Sequence, residues 1–163
     1  MKRVIIVSIS MLLVLGLVTG CGCNKKVNEK KKSKTNIKIN NLIEEEVIKM
    51  NDEIMNSLLS LDENLLLTQF GLKTEEVEYY VAKIPEYNDI KPRFYIAIKP
   101  TNNSKNKVKK ALDMYVENLK IKTDEDSQKN YENVLKQEYN GYYIYILSSN
   151  NEKVYEIIKN NLK

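Results

Sequence analysis

Few residues of this chain could do chemistry, because its 163 residues include no histidine. Serine–histidine and cysteine–histidine nucleophile pairs are therefore excluded, as are a histidine general base and a histidine-ligated zinc ion. Carboxylate pairs are present, as at Glu75 with Glu76 and at Asp124 with Asp126. Neighbouring residues of a strand point to opposite faces, so Glu75 and Glu76 do not converge if a strand begins there.

The sequence also gives little support for a metal site or a nucleotide-binding site. The spacing of Asp124 and Asp126 suits a calcium ion, but the loop lacks the glycine and the distal glutamate of an EF-hand. The five glycines form no phosphate-binding or dinucleotide-binding pattern. Ser148 and Ser149 have no histidine partner, although a serine–lysine pair formed in space stays open. We predict a chain that is not an enzyme and holds neither a metal nor a cofactor.

Cys21 is the residue whose chemistry follows most directly from its surroundings. Two basic residues precede an almost wholly apolar run from Val4 to Val18. As a helix this run rises only about 22 Å, short of the ~30 Å hydrocarbon core of a bilayer, so it is typical of a secretory signal. The next residues, Val18-Thr19-Gly20-Cys21, resemble the lipobox of bacterial lipoproteins.

The lipobox resemblance implies that Cys21 is the lipid attachment site. In that family the cysteine sulfur receives the lipid, the signal (here residues 1–20) is removed, and the cysteine becomes the first residue. Two acyl chains hold a protein at a bilayer, whereas one chain binds only marginally. An uncleaved signal anchor, or a secretory signal followed by an incidental cysteine, is the alternative. Cys23 fits the box badly and is predicted to be a free thiol, with intermolecular pairing as the alternative. It is the only cysteine left for the mature chain, so no internal disulfide forms.

The formal charge of +4 is unevenly distributed along the chain. The signal carries +2, and residues 22–38 carry seven lysines and one glutamate, which is typical of a solvated tether. Residues 39–163 then hold 17 basic and 21 acidic side chains, a net charge of −4. The tether either is drawn to anionic lipid headgroups or serves only as a soluble spacer. The acidic domain and the export signal argue against nucleic-acid binding.

Apolar spacing and turn residues divide the mature domain into alternating helices and strands. Asn140-Gly141 is the clearest local signal, because it favours the two-residue turn of a hairpin. The predicted elements are helices over 41–60 and Glu63–Phe70, strands over Val77–Ile84 and Arg93–Lys99, a long helix carrying Val108 to Leu119, the hairpin strands Val134–Tyr139 and Tyr142–Leu147, and a closing helix from Val154 to Leu162.

The order of these elements predicts the fold class. The strands Phe94–Ile98 and Tyr142–Ile146 are each followed by an Asn-Asn turn and a helix, either through duplication or because tyrosine-isoleucine strands look alike. The resulting order, α-ββα-ββα, predicts an α+β domain over residues 39–163. We expect two layers, with a four-stranded, mainly antiparallel sheet and helices on one face.

Tyrosine dominates the aromatic residues, with eleven tyrosines against two phenylalanines. Since alternate residues of a strand share a face, we expect Tyr95, Tyr143 and Tyr145, with Tyr139 as a further candidate, on the outer face of the sheet. Tyrosine is enriched at interfaces, so an interaction face is one hypothesis. The alternative is that tyrosine is simply a good strand former that tolerates half-exposure.

The order of parts resembles a set of small lipoproteins of Gram-positive bacteria, each with one domain of unknown function after a lipobox. The resemblance covers residues 40–163 and rests on Phe70-Gly71-Leu72, the run Glu75–Tyr79, the strand Ile96–Lys99, the long lysine-rich helix and the hairpin Asn140–Tyr143. It implies an extracytoplasmic, membrane-anchored domain without an established activity. It transfers no site residue beyond Cys21.

The favoured interpretation is a lipid-anchored binding module at the outer face of the cell membrane, with a protein partner in the cell envelope. A small solute-binding lipoprotein is the alternative, but it needs a pocket that the 125 residues of such a domain rarely supply. An enzyme that uses a serine–lysine pair or carboxylates is the third and least favoured class.

Replacement of the predicted anchor tests this assignment. We expect Cys21→Ala protein to leave the membrane fraction, because the variant has no sulfur to receive the lipid. The measurement is the partition of the protein between membrane and soluble fractions. A variant that still sediments with membranes would contradict the assignment.

Overall fold

The computed structural model describes residues 40–47, 49, 58–86 and 93–162. Its α-helices and strands are numbered in chain order, and three 3-10 turns join some of these described elements. They are α1 (the helical residues 40–47), β1 (Leu59–Ser60), α2 (Glu63–Phe70), β2 (Val77–Ile84), β3 (Phe94–Pro100), α3 (Lys105–Lys122), α4 (Glu125–Gln128), β4 (Leu135–Tyr139), β5 (Tyr142–Leu147) and α5 (Asn151–Asn161).

The α+β class is confirmed, with one sheet in the order β1-β2-β3-β5-β4 and every pair antiparallel. The described residues form five strands, so the expected four-stranded sheet is wrong. The added strand is β1, which pairs Leu59 with Ile84 and Ser60 with Lys83. The helix predicted over 41–60 therefore does not reach its expected end, because the apolar spacing there also suits a short edge strand.

The predicted hairpin is confirmed at the turn between β4 and β5. Asn140 has a φ of 49° and Gly141 a φ of 80°, and Tyr139 pairs directly with Tyr142. Positive φ at both central residues is what a two-residue turn between twisted strands requires. The turn thus fixes the register of the whole hairpin.

Both faces of the sheet carry an apolar core, so the expectation of helices on one face only is wrong. Phe94, Ile96 and Ile98 pack with α2 and α3, whereas Tyr95 and Ala97 pack with α1 and α5. The physical reason is that β3 has no solvent-facing side from Phe94 to Ile98, because both sets of alternating side chains in this run are fully buried in apolar clusters. We call the two covered faces the α2/α3 side and the α1/α5 side.

Helix α2 shows why its short sequence folds as predicted. Asp62 precedes it, and its Oδ1 accepts a hydrogen bond of 2.7 Å from the backbone N–H of Leu65. Gly71 ends the helix at a φ of 63°, a left-handed conformation in which glycine carries no steric penalty. Leu66 and Phe70 are buried between these caps and attach α2 to the core.

Polar contacts as well as apolar ones attach α1 to the sheet. Glu44 Oε1 lies 2.9 Å from Nζ of Lys83, whose side chain is only 8% exposed. The same ammonium donates to the carbonyl oxygen of Leu58 at 3.4 Å. The hydroxyl of fully buried Tyr95 donates to Oδ1 of Asn40 at 3.3 Å. Burial, and secondarily the charge of Glu44, raises the pKa of this tyrosine, so its hydroxyl stays a donor.

The buried pair of Glu44 and Lys83 gives a stability prediction. Removal of one partner from a buried ion pair leaves the other charge uncompensated, which costs about 3–5 kcal/mol. Because Glu44 keeps about a third of its side chain in water, we expect Glu44→Gln to cost about 1–2 kcal/mol of unfolding free energy. Urea denaturation at neutral pH measures this change.

The double variant Glu44→Gln with Lys83→Met is the control for that experiment. It removes both charges and should recover much of the lost stability, because no unpaired charge remains buried. If the double variant loses as much unfolding free energy as the two single variants together, the two side chains are not coupled.

Candidate functional site

The three tyrosines proposed as an interaction face do not share one surface. Tyr95 is fully buried on the α1/α5 side, while Tyr145 is buried and Tyr143 is partly buried on the α2/α3 side. The register explains the difference, since Tyr95 pairs with Ile146 and Tyr145 pairs with Ile96. Cross-strand partners lie on the same face, so Tyr95 and Tyr145 lie on opposite faces. The predicted face is therefore not formed.

The fourth tyrosine of that prediction, Tyr139, pairs with Tyr142 and packs partly buried on the α1/α5 side. Cys21 and Cys23 lie outside the described residues.

Polar side chains do converge where α3 passes the edge of the sheet. They surround a groove of about 240 Å³ between the flank of α3 and the β4–β5 hairpin. We call it the edge groove, and it is lined by Lys109, Asp113, Lys136, Gln137, Glu138, Tyr143 and Tyr145.

Asp113 is the centre of the hydrogen bonding at the edge groove. Its Oδ1 accepts from Nζ of Lys136 at 2.8 Å and from the hydroxyl of Tyr145 at 2.8 Å. The Lys136 ammonium also lies 5.1 Å from the centre of the Tyr145 ring, which is within cation–π range. These contacts join one helix to both strands of the hairpin.

The fold positions these three side chains with little freedom. Tyr145 and Lys136 are cross-strand partners, so the hairpin register places them side by side. Asp113 follows Leu112, which is fully buried and holds this turn of α3 against the sheet. Tyr143 and Glu138 form the next cross-strand pair on the same face of the hairpin and continue the groove.

Asp113, Lys136 and Tyr145, which we call the Asp113 cluster, influence one another's protonation. Burial alone would raise the pKa of Asp113, but hydrogen bonds from Lys136 and Tyr145, together with the charges of Lys136 and Lys109, lower it overall. Burial, and then the bond to Asp113, raises the pKa of Tyr145. At neutral pH the carboxylate is thus ionised and a weak base, and the phenol keeps its proton.

One residue of each acidic pair noted in the sequence takes a structural role. Glu76 Oε2 accepts from the backbone N–H of Lys73 at 2.9 Å, and its Oε1 binds Lys107. Asp124 caps α4 by accepting from the backbone N–H of Ser127 at 2.9 Å. Within the part of the chain that the structure describes, no three ligating side chains come together as a metal site would require.

A second depression, of about 380 Å³, lies over the outer side of α3. All of its lining residues come from that one helix, from Asn106 to Asn118. A single helix has no opposing wall, so this feature is open surface and not an enclosed pocket. The edge groove, by contrast, is bounded by three elements.

Comparisons with protein-family models, with curated proteins and with solved structures find no match to this chain. Among the described residues, no helix combines the length and the apolar character needed to span a bilayer. Function must therefore be argued from the site itself.

One part of the candidate site can be predicted from the sequence. A two-residue turn at Asn140-Gly141 sets Lys136 opposite Tyr145 and Glu138 opposite Tyr143 by counting outward from the turn. Asp113 carried no comparable signal, because the approach of α3 to the hairpin depends on tertiary packing.

The hydrogen bond from Tyr145 predicts a pKa change at Asp113. In Tyr145→Phe the carboxylate loses one donor, so its pKa should rise toward the ordinary value of 3.8. A carbon-13 NMR titration of the Asp113 carboxyl measures the shift, with Tyr143→Phe as the matched control. Because the folded-state pKa of Asp113 is lowered, its contribution to stability is complete above about pH 4 and lost as the pH falls. An unchanged pKa of Asp113 in Tyr145→Phe would contradict the hydrogen bond from Tyr145 to Asp113.

Proposed function

We propose that this chain is a lipid-anchored binding module at the extracytoplasmic face of the cell membrane, and that the edge groove contacts a polypeptide partner in the cell envelope. The observation that carries the binding role is the edge groove itself. It combines a tyrosine floor with charged walls beside a strand whose outer edge is unpaired in the described part of the chain.

The size of the groove favours a polypeptide over a free solute. Small-molecule pockets usually enclose about 300–1,000 Å³ and bury most of their ligand. The edge groove holds about 240 Å³ and is open along the sheet edge, so it suits one or two side chains of a larger partner. A solute-binding lipoprotein is for this reason the weaker alternative.

The exposed edge of β4 favours the same kind of partner. β4 has β5 on one side, and no other described strand pairs with it. An extended segment can add to such an edge through main-chain hydrogen bonds, with its side chains directed into adjacent pockets. Lys136 and Glu138 place both signs of charge along the edge, which disfavours indiscriminate strand pairing.

The protonation of the Asp113 cluster favours binding over catalysis. A general base is most effective when its pKa lies near the working pH, whereas the pKa of Asp113 is lowered. Tyr145 donates to Asp113 and has a raised pKa, so it is not an activated nucleophile. The cluster is suited to holding the groove in shape.

The membrane location in this proposal rests on the sequence before the described domain. The basic residues, the apolar run and the box ending at Cys21 agree in register with the lipoprotein signal that they resemble. Cys23→Ala is the matched control for Cys21→Ala, because it removes a neighbouring thiol and should leave the protein in the membrane fraction.

Photo-crosslinking in intact membranes tests the binding role. A photoreactive amino acid replaces Tyr143 in the groove of the anchored full-length chain, or Tyr155 of α5 on the other side of the sheet. We expect one discrete adduct at position 143, and its loss when Glu138→Lys reverses the charge of the groove wall. No adduct at 143, or the same adducts at both positions, would contradict the proposal.

A further inference from the structure

The two edges of the sheet differ in what they offer to another chain. β1 forms one edge and has only two residues, a length that limits the main-chain hydrogen bonds it can make. β4 forms the other edge with five residues, and it pairs with β5 in a continuous register from Leu135 to Tyr139. None of these five residues is a proline and no bulge interrupts them, so β4 lacks two common protections of an edge strand.

The hairpin turn determines which main-chain groups β4 directs outward. Tyr139 and Tyr142 flank a two-residue turn and so form a hydrogen-bonded pair, and such pairs alternate with non-hydrogen-bonded pairs along an antiparallel ladder. Counting back from Tyr139, every second residue of β4 directs its N–H and C=O groups toward β5. The residues between them, Lys136 and Glu138, direct theirs toward the open edge.

A second copy of β4 fits this edge in one antiparallel register. The outward groups of Lys136 and Glu138 must face the outward groups of the same two residues in the second copy. When Lys136 lies opposite Glu138 of the second copy, the reverse pair forms as well, because a two-fold axis at Gln137 relates the strands. Both pairs then join opposite charges, which stabilises adjacent strands. A shift by two residues in either direction sets Lys136 opposite Lys136, or Glu138 opposite Glu138, and like charges are destabilising there.

The apolar side chains of β4 match in the same register. Leu135 and Tyr139 are half-buried on the α1/α5 side, at the border of the core. The two-fold axis sets Leu135 of each copy opposite Tyr139 of the other, so their exposed parts cover each other. The charged pairs lie on the other side of the sheet, because Lys136 is the cross-strand partner of Tyr145. The strand is thus complementary to itself on both faces.

We propose that the polypeptide partner of the edge groove is a second copy of this chain, joined by antiparallel pairing of the two β4 strands into one continuous sheet. This inference rests on the proposed function, since it names the partner of the same site. Glu138 is exposed and makes no ion pair with any described residue, so it is free to meet a cation of the second copy. The Lys136 ammonium has three donors and can bond Asp113 of its own chain as well as Glu138 of the other.

The proposed anchor is compatible with this arrangement. The two-fold axis is perpendicular to the combined sheet, so the α1/α5 sides of both copies face the same way and both tethers can enter one bilayer. Anchoring on one surface also raises the local concentration of the two copies, which a short strand interface requires. Pairing leaves only the two-residue β1 strands as edges, so the assembly stops at two copies.

Disulfide formation between anchored full-length chains tests the register. Cys23→Ser removes the neighbouring thiol, and Gln137→Cys places a cysteine at the two-fold axis, in a non-hydrogen-bonded pair whose Cα atoms lie about 4.5 Å apart. Glu138→Cys is the matched control on the same strand, because it lies about 8 Å from its own counterpart. We expect mild oxidation of intact membranes to link Gln137→Cys chains into a dimer, relative to the Cys23→Ser parent, with about a tenth of that yield or less for Glu138→Cys.

Charge reversal completes the test. Glu138→Lys in the Gln137→Cys chain should lower the dimer yield on the order of tenfold, because lysine then lies opposite lysine in both pairs. Glu117→Lys on α3 makes the same charge change away from β4 and should leave the yield unchanged. A monomeric Gln137→Cys chain, equal yields at 137 and 138, or no loss in Glu138→Lys would overturn the proposal. The proposed function is judged separately, since a discrete photo-adduct of position 143 with another protein, without a dimer at 137, would keep the binding role and reject the second copy.

Discussion

The burial of β3 on both faces is the constraint on which the rest of the structure depends. Its side chains from Phe94 to Ile98 are all fully buried, so the sheet needs an apolar cover on each side. α2 and α3 supply one cover, and α1 and α5 supply the other. Because both cysteines, Cys21 and Cys23, precede the described domain, no disulfide can form within it, and this packing must provide its stability.

Local signals in the sequence were sufficient to predict most of the helices and strands. The hairpin followed from Asn140-Gly141, and α2 followed from an apolar stripe bounded by Asp62 and Gly71. The two-residue strand β1 could not be predicted, because the pairing of Leu59 with Ile84 is a contact between distant residues that no local pattern records. Its sequence also fitted the apolar stripe of the preceding helix.

Two features could not be predicted from the sequence: the helical layers on both faces of the sheet, and the full set of residues in the candidate site. A strand with two apolar faces indicates burial on both sides, whereas the tyrosines of β3 and β5 suggest an outward face. Their burial depends on the register between β3 and β5, which sets Tyr95 beside Ile146. Asp113 was missed for a related reason. A lone aspartate on a lysine-rich helix is usually a solvated surface residue, and its role exists only because α3 passes the hairpin at Lys136 and Tyr145.

The contacts of Asp113 tie α3 to the edge of the sheet. Its carboxylate accepts hydrogen bonds from Lys136 of β4 and from Tyr145 of β5, so one side chain of the helix contacts both strands of the hairpin. Cross-strand pairing places these two donors side by side. The shape of the edge groove therefore depends on the hairpin register as much as on the packing of α3 against the sheet.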